Sequence, residues 1–110
     1  MQQSLPIEVN DAITQLGERI RVARTRRKMT QQALATACGI TRKTIYVLET
    51  GGAGATLGNA ASVLWVLGLL GTLRAVADPD ADAHGKTLEA ARRSRRVRAE
   101  RAAPDLNHDF

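Results

Sequence analysis

With 110 residues and 44% apolar content, the chain can close one modest hydrophobic core but is too short for two independent globular domains. Because aromatic residues make up only 3% of it, this core has to consist of Leu, Ile, Val and Ala, which suits packed helices better than a β-sandwich. A single cysteine, Cys38, excludes an internal disulfide, and the longest apolar stretch, around residues 60–73, is shorter than the roughly 20 residues needed to span a bilayer.

The net charge of +5 is unevenly distributed along the chain. Residues 12–50 hold eight Lys or Arg against Glu18 and Glu49, a net of +6. Residues 51–91 sum to −2, and residues 92–110 to +3. A polyanion would therefore dock on the first half of the chain. The N-terminus lacks the basic start and apolar stretch of a secretory signal, which predicts a cytoplasmic protein with no membrane partner.

Two helices are predicted before residue 40. Apolar residues recur at three- and four-residue steps over residues 13–23, so a first helix is predicted from about residue 9 to residue 28. Thr30 offers a hydroxyl as the N-cap of a second, short helix of about eight residues. Gly39 ends this second helix, because glycine readily adopts the left-handed conformation of a helix C-terminus.

Three further helices are predicted in the next 40 residues. Thr41 is the candidate N-cap of a third helix that runs to about Thr50, where glycines stop it. The segment 56–68 reads as a fourth helix, with leucines and alanines on one side. A fifth helix, about 69–77, ends at Asp78-Pro79, because a residue that precedes proline is disfavoured in the helical region.

The last third of the chain is predicted to be an extension of the compact domain. We expect a domain at residues 1–77 and an extension at residues 78–110. Large apolar residues are scarce in this extension, and six arginines lie between residues 92 and 101. A short helix at about 85–93 is predicted, and the remainder is expected to fray into a partly disordered basic tail.

The segment from Thr30 to Gly51 contains the most informative pattern. Two short helices are joined there by a turn that permits only a steep crossing angle. Small Ala35 allows close approach of the two helices, and Gly39 permits the turn. Ile45 and Leu48 then anchor the third helix from beneath.

The outward side of the third helix is predicted to be a groove-reading surface. Gln31, in the first turn of the second helix, can give its amide to a phosphate while the helix N-terminus adds its own N–H groups. The basic cluster of Arg24, Arg26, Arg27 and Lys28 has two interpretations that stay open, a steering of DNA or a solvated helix end. The outward-facing residues of the third helix are Arg42, Lys43, Thr44, Tyr46 and Val47.

This segment resembles the Cro and phage-repressor, or XRE-type, helix-turn-helix. The resemblance extends over residues 16 to about 70 and implies an all-α bundle of five short helices that binds double-stranded DNA. It also implies that Gln31 clamps the DNA backbone, that Arg42 and Lys43 read bases, with Thr44 on the same surface, and that Thr41, Tyr46 and Thr50 contact phosphates or base edges. The matching positions are Gln31, Ala35, Gly39, Ile40, Ile45, Leu48, Glu49 and Gly51.

No enzyme is predicted. A triad of Ser62, His84 and Asp82 is disfavoured, because Ser62 lies in an apolar helix without the elbow or anion-binding loop that a nucleophile requires. His84 and His108 do not have the spacing of metal ligands, so neither a metal nor a cofactor is expected.

We expect a dimeric repressor of transcription. A monomer would offer one short recognition helix, which gives only weak sequence specificity. A dimer bound to the two half-sites of a palindromic operator is therefore expected. The predicted dimer surface lies on the fourth and fifth helices and comprises Trp65, Leu69, Leu70 and Leu73.

The C-terminal extension leaves two hypotheses open. It resembles the extension of HipB-type antitoxins, which implies that the chain neutralises a HipA-like kinase toxin and represses its own operon. Leu106, Asp109 and Phe110 would then hook into a pocket on that partner. Alternatively, the arginines of residues 92–101 simply add nonspecific DNA affinity. The positions of the resemblance are Asp82, Gly85, Leu88, Arg96, Val97, Arg98, Asp109 and Phe110.

Overall fold

The computed structural model describes residues 4–102, and all regular structure within that range is helical. This confirms the predicted all-α class. Among the described residues, no helix combines the length and the apolar character needed to cross a membrane. The helices are α1 (Ile7–Arg26), α2 (Gln31–Cys38), α3 (Arg42–Glu49), α4 (Leu57–Val66), α5 (Leu70–Arg74) and α6 (Ala83–Ala102), with a 3-10 turn at Pro79–Ala81.

Threonine side chains start three consecutive helices. The hydroxyls of Thr30, Thr41 and Thr56 precede α2, α3 and α4. Each accepts the backbone N–H three residues later, at 3.0, 3.2 and 3.1 Å. Each hydroxyl thus satisfies one of the first-turn N–H groups that have no partner within the helix. The two caps predicted from sequence, Thr30 and Thr41, are confirmed.

The core is aliphatic, as the composition requires. α3 packs against α1 and α2, α2 packs against α4, and α4 packs against α5. The largest fully buried side chains come one from each of the first four helices: Ile20, Leu34, Ile45 and Val63. Smaller or less buried neighbours complete the cluster: Ala23, Ala35, Leu48, Ala60, Leu64 and Leu67.

Gly17 allows α1 and α3 to approach each other closely. It is buried within α1, and a Cβ at this position would lie 2.5 Å from the carbonyl oxygen of Leu48 and 2.8 Å from that of Glu49. Both neighbours are backbone atoms, so neither can rotate away as a side chain could. Any larger residue would therefore push the two helices apart.

α1 begins and ends two residues before its predicted bounds, and α5 and α6 differ further from the sequence prediction. α5 stops at Arg74 rather than near Ala77, because the chain turns there and Ala77 takes a positive φ of 56°. The predicted short helix at 85–93 is instead the 20-residue α6, so the described part of the arginine-rich stretch is helical to Ala102. Ala, Arg and Glu favour helix, and the Asp82 carboxylate accepts the Gly85 N–H at 2.9 Å in the first turn.

The chain divides into two compact units between Arg74 and Ala75. The first contains α1 to α5, and the described part of the second contains the 3-10 turn and α6, without a buried residue. The division into a domain at 1–77 and an extension at 78–110 stays a prediction.

Gly17→Ala is expected to lower the free energy of unfolding by about 1–3 kcal/mol, because its methyl group would overlap two backbone carbonyls of α3. Gly58→Ala is the matched control, since Gly58 is also helical but exposed, with nothing within 4 Å of an added Cβ. The control is expected to keep or gain stability. Urea denaturation of both variants measures the difference, and equal stabilities would contradict a tight α1–α3 contact.

Candidate nucleic-acid interface

A three-residue turn joins α2 to α3. Gly39 closes α2 in the left-handed conformation, with φ 72° and ψ 29°. The Ile40 N–H then donates to the Ala35 carbonyl at 3.0 Å, and the Ile40 side chain packs against the core. These contacts fix the direction in which the chain enters α3, so the orientation of α3 follows from local structure as well as from the core beneath it.

α3 has one buried and one outward side. Ile45 and Leu48 are buried, which anchors the helix on the core. On the other side Arg42 and Lys43 are exposed, and the Tyr46 side chain is 54% exposed. Thr44 and Val47 are half-buried. The structure therefore brings together at one surface the five side chains that the sequence predicted to face outward.

An ion pair beneath this surface joins α1 to the end of α3. The Arg24 guanidinium donates to Glu49 from Nε at 2.6 Å and from a terminal nitrogen at 2.9 Å. Its other terminal nitrogen donates to the Met29 carbonyl at 2.8 Å, in the loop before α2. The side chains of Arg24 and Glu49 are only 10% and 2% exposed. The pair thus holds α1, the following loop and α3 in one arrangement.

The interpretation of Arg24 as part of an exposed basic cluster is wrong. Arg26, Arg27 and Lys28 are exposed, but Arg24 is buried. The sequence contains the signal for this, because Arg24 lies four residues after Ile20 and so continues the apolar side of α1. A charged residue on that side requires a buried partner, and Glu49 is adjacent to buried Leu48.

The ion pair leaves the surface charge unchanged. The hydrogen bond to Glu49 raises the pKa of Arg24 above its usual range, Coulombic attraction to Glu49 adds to this, and burial lowers it by less. Arg24 therefore stays charged, and its charge is cancelled by that of Glu49. The exposed groups of residues 12–50 still have a net charge of +6. They are Arg19, Arg21, Arg26, Arg27, Lys28, Arg42 and Lys43 against Glu18.

Gln31 connects the ion pair to the outward side of α3. Its amide nitrogen donates to Glu49 at 3.2 Å, and its amide oxygen accepts from Arg42 at 3.4 Å. This orientation follows from chemistry, because a carboxylate only accepts and a guanidinium only donates. One N–H of the Gln31 amide remains for a ligand, at the N-terminus of α2, where the first-turn N–H groups have no partner within the helix. We refer to Arg24, Glu49, Gln31 and Arg42 as the polar chain.

The three threonines predicted to contact DNA take part in helix ends. Thr41 caps α3, and its hydroxyl lies 2.8 Å from that of Thr44. The Thr50 hydroxyl donates to the Tyr46 carbonyl at 2.8 Å. A contact from Thr50 to a phosphate would have to give up that hydrogen bond. The DNA contacts of these threonines stay predictions.

The predicted dimer surface is only partly exposed. Trp65 is 67% exposed, which is unusual for the largest apolar side chain in the chain. Leu70 is half-buried, and Leu69 and Leu73 pack partly against the core. The predicted partner-binding residues Leu106, Asp109 and Phe110 lie outside the described residues.

Comparison with known proteins agrees with this geometry. The family model for a helix-turn-helix domain matches residues 15–77, which is more than half of the chain. No curated protein and no solved structure shows significant similarity to it.

We expect Arg24 and Glu49 to contribute to the free energy of unfolding as a pair and not independently. Arg24→Met and Glu49→Leu should each lower the free energy of unfolding by about 3–5 kcal/mol, because each leaves one buried charge without its partner. The double variant should lose much less than the sum. Urea denaturation of the four proteins completes the cycle, and additive losses would show that the two side chains act independently.

Proposed function

This chain belongs to the helix-turn-helix domain family, and we propose that it is a DNA-binding regulator of transcription that represses from an operator read by α3. The observation that carries the proposal is the pairing of exposed Arg42 and Lys43 with a buried opposite side of the same helix. A helix anchored in this way can enter the major groove without losing its packing on the core.

Each group of the surface has a chemical role in this proposal. Arg42 and Lys43 present N–H donors that suit the O6 and N7 acceptors of guanine in the major groove. Gln31 and the N-terminus of α2 bind a phosphate and set the depth of insertion. The net +6 of residues 12–50 attracts DNA from a distance and increases the association rate. The XRE-type pattern of residues 30–51 supports the same assignment.

The proposed operator is palindromic and bound by a dimer. α3 has eight residues and is therefore about 12 Å long, which limits it to a few base pairs. Two copies related by a twofold axis would read half-sites about one helical turn apart. The exposed indole of Trp65 in α4, together with Leu70 at the start of α5, supports a dimer surface on α4 and α5.

A second candidate is a HipB-type antitoxin that also binds a HipA-like kinase. It is supported by the similarity of the C-terminal extension, but two of the similar positions have a local explanation. Asp82 accepts the N–H of Gly85, and a Cβ at residue 85 would overlap the Asp82 carboxylate. Co-purification of a kinase with the tagged full chain would favour this candidate over a repressor that acts alone.

Arg42→Ala and Lys43→Ala are each expected to weaken operator binding by about 1–3 kcal/mol, because each removes donors to base edges. The operator is first obtained by selection from random DNA at physiological salt. Arg21→Ala is the control, since it removes one exposed charge from α1 and should weaken binding to operator and random DNA alike. Unchanged operator affinity in both α3 variants would refute base reading by α3.

Trp65→Glu is expected to shift the protein from dimer to monomer and to reduce its affinity for a full palindrome to that for a single half-site. The substitution places a charge at the centre of the proposed apolar contact. Ile7→Glu is the control, because Ile7 is equally exposed, at 71%, but lies at the start of α1. Sedimentation analysis measures the assembly, and a dimeric Trp65→Glu variant would place the interface elsewhere.

A further inference from the structure

The C-terminal half of α6 carries many positive charges that take no part in packing. Residues 92–101 contain six arginines and one carboxylate, Glu100, and every side chain in this stretch is exposed. α6 has no buried residue. The arginines therefore contribute nothing to a core, and packing within the described part of the chain does not account for them.

The arginines surround the helix instead of forming a stripe. At roughly 100° per residue, successive arginines around the axis are about 40–80° apart. No side of this stretch is free of positive charge. A helix that docks on a flat surface needs its matching groups on one side, whereas a helix enclosed by walls on both sides can use groups all round. The six are Arg92, Arg93, Arg95, Arg96, Arg98 and Arg101.

Within the described residues, most of these arginines form no ion pair. Arg93 pairs with Glu89 at 2.7 Å, and in the described range 4–102 no other arginine of this stretch has a carboxylate within 4.0 Å. Like charges three and four residues apart repel each other and destabilise a helix. A polyanion bound along this stretch would remove that repulsion.

We propose that residues 92–101 form a second DNA-binding element, which lies in the major groove of duplex DNA and binds phosphates on both walls without reading sequence. The major groove is about 12 Å wide, and an α-helix with its side chains is about 10–12 Å across. An acidic protein surface would use one side of the helix only. Double-stranded RNA fits less well, because its major groove is too deep and narrow for side chains to read.

This inference deepens the proposed function but does not require α3 to recognise an operator. The two elements belong to one chain, so binding of one raises the effective concentration of DNA at the other. In this arrangement α6 would supply the sequence-independent part of the binding free energy. α3 would supply the discrimination between DNA sequences. The two contributions are separable, because random-sequence DNA reports the first and selected operator DNA reports the second.

The test uses two triple variants of the full chain that remove the same charge from opposite sides of α6. Glutamine replaces arginine in both, since it keeps the helix propensity. Affinity for a random-sequence DNA duplex is measured by fluorescence anisotropy at several salt concentrations from 50 to 200 mM. The first set is Arg92→Gln, Arg95→Gln and Arg96→Gln, and the second is Arg93→Gln, Arg98→Gln and Arg101→Gln.

Log affinity falls as log salt rises, and each set is expected to make this fall shallower. The magnitude of the slope should decrease by about 2 to 3, because each lost phosphate contact removes about 0.9 from it. Circular dichroism checks that both variants remain as helical as the parent. An RNA duplex of the same length should bind more weakly and respond little to either set.

A slope that changes with one set only would show a helix lying on the backbone from one side, which overturns groove insertion. Slopes unchanged in both sets would assign the arginines to solvated surface. An equal response with the RNA duplex would also overturn the proposal. If Arg42→Ala and Lys43→Ala left operator affinity unchanged while both sets lowered the slope, the proposed operator reading would fail and the role of α6 would stand.

Discussion

The bidentate contact between Arg24 and Glu49 is the constraint from which the geometry of the interface follows. It spans 25 positions of sequence and joins α1, the loop before α2 and the end of α3 at one point. A buried pair of this kind contributes little net stability compared with apolar residues of the same size. Instead, the pair fixes how the elements that it joins are oriented, because a planar guanidinium forms its two parallel hydrogen bonds to a carboxylate in one orientation. Gly17 allows the two helices to come close enough for the contact.

The same contact separates the two sides of α3. The core contacts of the helix lie on its inner side, where Ile45, Leu48 and Glu49 are buried. On the outer side, Arg42, Lys43 and Tyr46 are exposed, and Arg42 is linked to the inner side through Gln31, which bridges Glu49 and Arg42. The exposed side chains of Lys43 and Tyr46 could therefore be replaced without loss of a core contact. The exception is Arg42, whose orientation is coupled to the core by the polar chain.

Much of the fold could be predicted from short sequence patterns, because the residue types that begin and end its helices are recognisable in the sequence. Thr30, Thr41 and Gly39 act through their own side chains or backbone freedom within three or four residues, so their roles can be inferred without knowing the tertiary structure. α6 shows the limit of the same approach. Its few apolar residues indicated a frayed tail, yet it is a helix that buries no residue, and propensity, an Asp82 cap and the Glu89–Arg93 pair favour it.

The sequence by itself determined the helical class, the caps of α2 and α3 and the outward side of α3, because these depend on contacts between near neighbours and on the 3.6-residue period. Only the tertiary structure decided the roles of Gly17 and Arg24. A glycine in a helix and an arginine in a basic run have ordinary local explanations. Their functions depend on Leu48 and Glu49, which are distant in sequence and meet them only when α1 packs against α3.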